Sequence, residues 1–290
     1  MRIIKIIEKK KPFVSLEFFP PKDKTLWPGF FSTVNKLKKV DPAYVSVTYG
    51  AFGSTHNYTK EITIAFKKDL GLEPMAHLTC VNASKARIVS FLDQLNSEGV
   101  DNVLALRGDL PENGQNSSCS GDFHYASDLV AFVRNHYPSM GIAVAGYPEG
   151  HPDSENSEDD IAFLKFKCDQ GADFILTQMF FDNSFYWDFV AKARAAGIDK
   201  PIIPGILPVA TVSGLERMLA KDCASVPDKY MSRLREADRS GGKEAVRALG
   251  TEYAIAQAKE LLQSGVPGIH FYTLNRAGTC LEIFDALGLF

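Results

Sequence analysis

The sequence contains no Cys-x-x-Cys pair. Its five cysteines, Cys80, Cys119, Cys168, Cys223 and Cys280, are widely scattered. That excludes the paired-thiolate spacing of zinc and iron–sulfur sites. An odd count without a secretory leader points to reduced thiols and a cytoplasmic protein. There is no run of about 18 apolar residues, so no membrane span is expected. The segment Met1 to Lys11 carries only short Ile pairs between charges, too little apolar length for a signal peptide. Its Lys9-Lys10-Lys11 run is read as a solvated helix end rather than a membrane contact. Positive charge is not in excess. Lys and Arg total 32 against 35 Asp and Glu, a formal net charge of −3. This excludes a general nucleic-acid-binding field but leaves room for a local anion site. No period of 20 to 50 residues repeats, and no linker composition divides the chain.

What is present is an ordinary globular composition over 290 residues, 45% hydrophobic and 23% charged. A chain of this size buries about three quarters of its unfolded surface and needs no disulfide or structural metal. Eight short, largely apolar runs alternate with helical patterns. They are Val14–Phe19, Tyr44–Thr48, Pro74–Thr79, Asn102–Arg107, Ile142–Tyr147, Phe174–Gln178, Ile202–Ile206 and Ile269–Thr273. Apolar runs of this length suit strands buried on both faces of a parallel sheet. From Ser84 to Leu95, the residues Ile88, Phe91, Leu92 and Leu95 form one helical stripe. Asp160 to Lys167 and Ser184 to Ala196 behave similarly. The expectation is a single α/β domain over residues 1–290, a (β/α)₈ barrel. A doubly wound sheet would need a glycine-rich turn after its first strand. Here that strand ends Glu17-Phe18-Phe19-Pro20-Pro21, which cannot form one. Lys221 to Gly242 reads as an extended, irregular connection with a short helix of its own, before the last strand.

In such a barrel, chemistry gathers where the strands end. Those ends supply Glu17, Thr48 with Tyr49, His77, Arg107 with Asp109, Tyr147 with His151, Gln178, Pro208, and Tyr272 with Arg276. Glu17 interrupts an otherwise apolar strand. Burial there should raise its pKa and make it a candidate general acid; the competing reading is a partner in a buried ion pair. Arg107-Gly108-Asp109 offers an anion-binding guanidinium, a glycine permitting close backbone approach, and a carboxylate. His77 and His151 lack a third ligand at metal spacing, so no metal is expected. His270 reads as a satisfied core residue. No lysine at a strand end suggests a Schiff base, and no Ser–His–Asp arrangement can be argued. Phe18-Phe19 and Phe180-Phe181 could wall a slot for a planar ligand.

The same strand ends resemble those of the methylenetetrahydrofolate reductase family. The resemblance rests on Leu16-Glu17-Phe18-Phe19-Pro20-Pro21-Lys22, Val45-Ser46-Val47-Thr48-Tyr49-Gly50-Ala51 and His77-Leu78-Thr79-Cys80. It continues through Leu106-Arg107-Gly108-Asp109, Gly146-Tyr147-Pro148-Glu149-Gly150-His151-Pro152 and Thr177-Gln178-Met179-Phe180-Phe181. Pro204-Gly205-Ile206-Leu207-Pro208-Val209 and His270-Phe271-Tyr272-Thr273-Leu274-Asn275-Arg276-Ala277 complete it. Nearly the whole chain is covered, in family order, and it resembles the single-domain bacterial form.

The resemblance implies non-covalently bound FAD and reduction of 5,10-methylenetetrahydrofolate to 5-methyltetrahydrofolate, in one-carbon metabolism feeding methionine biosynthesis. It places flavin contacts at Thr48, Tyr49, Ala51, His77, Arg107, Gly108, Asp109, Ala126, Tyr147, His151, Asp160 and Lys167. It places folate contacts at Glu17, Asp109, Gln178, Tyr272 and Arg276, with Glu17 as proton donor, Asp109 and Gln178 assisting, and Arg276 on the glutamate tail. NADH or NADPH is the implied electron donor, with a donor protein subunit as the alternative. A homo-oligomer is expected, without nucleic-acid or membrane partners. The chain departs from the family at four positions. On the helix after the fifth strand, Phe163 and Phe166 stand where enterobacterial-type members carry Asn and Arg contacting FAD. Gly214 aligns with a Gln that contacts folate. Met218 aligns with a Phe that stacks on the nicotinamide cofactor, so weak nicotinamide binding is expected.

Overall fold

The computed structural model describes residues 1–49, 56–108, 121–154, 156–220 and 223–289. Eight parallel strands close into a barrel: β1 (Phe13–Phe18), β2 (Tyr44–Val47), β3 (Pro74–Thr79), β4 (Asn102–Leu106), β5 (Gly141–Gly146), β6 (Phe174–Met179), β7 (Ile202–Ile206) and β8 (Gly268–Tyr272). Each expected run is a strand, to within a residue or two at its ends. Closure is made by β1 against β8, in a register that sets Ser15 opposite His270 and Glu17 opposite Tyr272.

The helices are α1 (Ile3–Ile7), α2 (Trp27–Leu37), α3 (His56–Lys68), α4 (Lys85–Ser97), α5 (Ala126–His136), α6 (Ser157–Asp169), α7 (Asn183–Ala195), α8 (Val212–Leu219), α9 (Asp228–Gln263) and α10 (Ala277–Ala286). Helix α4 shows why the sequence forms them. Ser84 caps its N-terminus by accepting from Arg87 N, and Ile88, Leu92 and Leu95 bury one face against the sheet. Helix α1 sits at the bottom of the barrel. There Ile3 and Ile7 pack with Phe13, Tyr44, Met75 and Phe174. Asn102 holds α1 in place, its Oδ1 accepting from Ile3 N at 2.7 Å and its Nδ2 donating to Met1 O at 2.9 Å. The opposite end, where the strands finish, stays open.

The connection before β8 is extended, as expected, but it is more regular than its composition indicates. From Asp228 onward it is the first part of α9, which bends at Gly242 (φ 61°, ψ −154°). Its first turns are rich in charge, and the glycine pair looks like a loop. The apolar positions that matter, Tyr230, Leu234 and Val246, are few, yet they are buried beneath α8 with Met179, Phe181 and Leu207.

Candidate active site

Residues alternate faces along a strand, so Ser15 and Glu17 of β1 both point inward, as do His270 and Tyr272 of β8. The β1–β8 register therefore brings four polar side chains to one place. Glu17 Oε2 lies 3.2 Å from His77 Nε2 and 3.4 Å from His270 Nε2, and it accepts from Ser46 Oγ at 3.3 Å. His270 is fully buried, and its Nδ1 lies 2.9 Å from Ser15 Oγ. With Ser15 donating to Nδ1, the Nε2 hydrogen of His270 points to Glu17.

Burial alone would raise the Glu17 pKa. The field of His77, the hydrogen bonds from both imidazoles and the field of His270 outweigh it and hold the carboxyl at about 2. This corrects the expectation of a carboxyl kept protonated by burial: apolar neighbours on the strand are real, but the residues across the barrel are imidazoles. Burial lowers the His270 pKa, with the Glu17 carboxylate acting against it. His270 is thus satisfied, as expected, yet it also bears on the carboxyl at the centre of the site. Sequence reading missed that role, and that of Ser15. The available signal was the two-residue alternation in Ser15-Leu16-Glu17 and His270-Phe271-Tyr272.

Two clefts meet at this point. The first, of about 290 Å³, is lined by Thr48, His77, Arg107, Gly108, Tyr147 and His151. The second, of about 460 Å³, is lined by Phe19, Leu207, Gly214, Arg217, Met218 and Leu274. Glu17, Gln178 and Tyr272 border both. Tyr272 is pinned by donating to Thr177 O at 2.7 Å. Gln178 accepts from Met179 N at 3.0 Å through Oε1, and among the described residues its Nε2 has no acceptor, so it can meet a ligand. The mouth is braced by β8 and its loop. Thr273 Oγ1 donates to Glu17 O at 2.6 Å, and Asn275 Nδ2 donates to Phe19 O at 2.9 Å.

The first cleft fits a phosphate-bearing cofactor such as FAD. Arg107 is paired with Asp153 at 2.5 Å through Nη2, but its Nε is buried without a hydrogen-bond partner. An anionic oxygen would satisfy it. Gly108 beside it has φ +90°, and a Cβ there would come within 3.0 Å of the Thr79 side chain, so the backbone stays bare. Tyr147 meets His151 edge-on at 4.6 Å. Burial, then the nearby Arg107 charge, lowers the His151 pKa.

The remaining sequence-predicted residues that the structure describes do not line this cleft. Tyr49 OH accepts from Arg87 Nη2 at 2.9 Å. Ala126 opens α5. Asp160 borders a neighbouring cleft with Tyr147, and burial raises its pKa. Lys167 Nζ is turned inward, donating to Ala145 O at 2.7 Å, and burial lowers its pKa. Arg276 precedes α10 at the mouth. Ala51 and Asp109 lie outside the described residues. Phe163 and Phe166 are 62% and 52% exposed, a costly placement for two rings one turn apart. Among the described residues, no three metal-ligating side chains lie together, and no helix is long and apolar enough to cross a membrane.

Comparison with known proteins gives one consistent result. The family profile described as Methylenetetrahydrofolate reductase matches residues 2–288. The chain is 37% identical over 300 residues to "Methylenetetrahydrofolate reductase (NADH) 1" of Arabidopsis thaliana, covering 99% of this chain and 50% of that protein. It is 36% identical over 276 residues to "5,10-methylenetetrahydrofolate reductase" of Pectobacterium carotovorum, covering 95% of this chain and 90% of that one. The chain thus spans about half the length of the eukaryotic relatives it matches. A solved structure from Clostridium thermocellum, described as binding two copies of 5-methyl-5,6,7,8-tetrahydrofolic acid, superposes with a TM-score of 0.62 at 14% identity. It covers 98% of this chain and 96% of that chain. At that identity the likeness establishes the barrel fold alone.

Proposed function

Since the chain belongs to the methylenetetrahydrofolate reductase family, a family of oxidoreductases, we propose that it reduces 5,10-methylenetetrahydrofolate to 5-methyltetrahydrofolate with non-covalently bound FAD. The observation that carries this reading is the pair of clefts with one common wall, Glu17, Gln178 and Tyr272. A two-substrate redox reaction needs cofactor and folate side by side with a proton donor between them.

FAD, when bound, supplies the hydride that the methylene carbon of the folate receives. Arg107, through its unpartnered Nε, and the bare backbone at Gly108 hold the phosphate-bearing part in the first cleft. Gln178 orients the pterin through its amide donors, and Tyr272 closes the wall behind it. Glu17 moves the proton. In the open site Glu17 is a carboxylate. Folate binding expels water, and the buried carboxylate loses solvation that a neutral acid does not need. Glu17 Oε2 takes up a proton from the departing water, and the folate nitrogen takes it from there as the imidazolidine ring opens. Asp109 is proposed to stabilise the resulting cation.

The test is anaerobic mixing of the FAD-loaded protein with NADH or NADPH, then with methylenetetrahydrofolate, while following flavin absorbance. Bleaching by the donor and recovery with folate are expected. Protein that does not take up FAD would sink the proposal. A second reading keeps the folate chemistry but takes electrons from a donor protein. It is favoured by Gly214 and Met218, which leave the α8 side of the second cleft without an aromatic ring for a nicotinamide. Failure of both nicotinamide nucleotides to bleach the flavin, with bleaching by a chemical reductant, would select it.

A further inference from the structure

We propose that Arg217 is a second tail-binding residue, which together with Arg276 clamps the two carboxylates of the folate glutamate; this rests on the folate reading above. Arg217 lies on α8 and lines the large cleft that reaches Glu17 and Gln178. It also lines an adjoining cleft of about 210 Å³, whose lining includes Arg276. The two guanidiniums thus come from separate elements to one mouth.

Neither is neutralised. Arg2, Arg107, Arg134, Arg233, Arg235, Arg239 and Arg247 each pair with a carboxylate. Arg217 and Arg276 have no ion-pair partner among the described residues. The acid beside Arg217 on its own helix, Glu216, is taken by Arg235 at 3.0 Å. Two free guanidiniums at the entrance of a cleft that ends on a carboxyl are arranged for an anionic ligand whose other end is reactive and uncharged. Between them and Glu17 the walls are apolar, formed by Phe19, Leu207, Met218 and Leu274. A folate has this order of parts: a reacting pterin, an aryl ring, then a glutamate with two carboxylates. Arginine's forked donors suit carboxylates, and two forks match two carboxylates.

Both side chains are exposed, so solvent screens each contact and the effect of either should be moderate. The experiment measures the Kd of FAD-loaded wild type, Arg217→Ala and Arg217→Lys for 5-methyltetrahydrofolate and for 5-methyltetrahydropteroate, which lacks the glutamate. Arg217→Ala should weaken the glutamate-bearing ligand about two- to fivefold, as expected for losing one exposed charge contact, and 200 mM added salt should shrink that difference. Arg217→Lys should recover part of it. The pteroate should bind all three proteins alike. Equal weakening of both ligands would make Arg217 a packing residue and overturn the clamp. So would unchanged binding of the glutamate-bearing ligand, or a loss confined to NADPH relative to NADH, which would assign the charge to a nucleotide phosphate. Wild-type protein that binds neither pterin would remove the folate reading itself, and the clamp with it.

Discussion

A single carboxyl separates two explanations of why an acid interrupts the first strand. If Glu17 is the proton donor, only the folate half-reaction depends on it. Glu17→Gln should bind FAD normally and accept electrons from a donor at near wild-type rate, while methylenetetrahydrofolate reoxidises its flavin about 10²–10⁴-fold more slowly. Single-turnover mixing in each direction measures this; near wild-type folate reduction in a stable variant would remove the assignment. The same residue has a stability signature. Its carboxyl sits at about 2 against an ordinary 4.5. A depressed folded pKa stabilises the fold above the unfolded value, and that contribution disappears as pH falls from 4.5 toward 2. The stability gap between wild type and Glu17→Gln in urea melts should therefore be full at pH 6 and shrink through that window. A gap independent of pH would mean that the imidazoles do not hold the carboxylate. The position of Glu17 was legible because an acid in an apolar strand stands out against its neighbours. Its protonation was not, because His77 and His270 are 60 and 253 positions away in sequence and only barrel closure brings them within 3.2 and 3.4 Å. Lys167 is a similar case: its charge was visible, but not that Ala145 O would take its ammonium.

At the scale of elements, all eight strands were legible, because a strand covered on both faces must be apolar along its length and bounded by polar turns. The start of α9 was not, because its few buried residues lie among charges, and its helicity comes from packing rather than from pattern. That packing is close. A Cβ on Gly250 of α9 would fall 2.0 Å from Val209 O, in the loop after β7. Gly250→Ala should therefore force the Val209 loop and α9 apart and cost about 1–3 kcal/mol, the usual range for overpacking. Denaturant unfolding gives the number. The expected companion effect is weaker folate binding with FAD affinity retained, because the displaced segment leads to α8 and Met218 rather than to Arg107. A variant as stable as wild type would show that the helix can slide without cost.

For the whole molecule, cofactor binding and stability are one equilibrium. FAD at 100 times its Kd should add about 2.7 kcal/mol, which for a chain of this size is a rise in Tm of about 4 °C. Arg107→Ala should abolish most of that rise while leaving the Tm of the FAD-free protein within a degree or two, since the Arg107–Asp153 pair it removes is at the surface. Thermal melts with and without FAD decide it; an unchanged rise would move the phosphate elsewhere.

The seam between the first and last strands has a temporal meaning as well as a geometric one. Ser15 and His270 are joined across 255 positions of sequence, and Glu17 and His270 across 253. Contacts of such long sequence separation are slow to form, since the intervening chain must be ordered first. On a ribosome, Glu17 is made 253 residues before its second imidazole, His270. A chain that stops before the eighth strand can therefore collapse around its hydrophobic strands, but it cannot assemble the cluster of Ser15, Glu17 and His270. If the proposed proton transfer runs through this cluster, activity doubles as a certificate that synthesis ran to the eighth strand and that the cylinder closed.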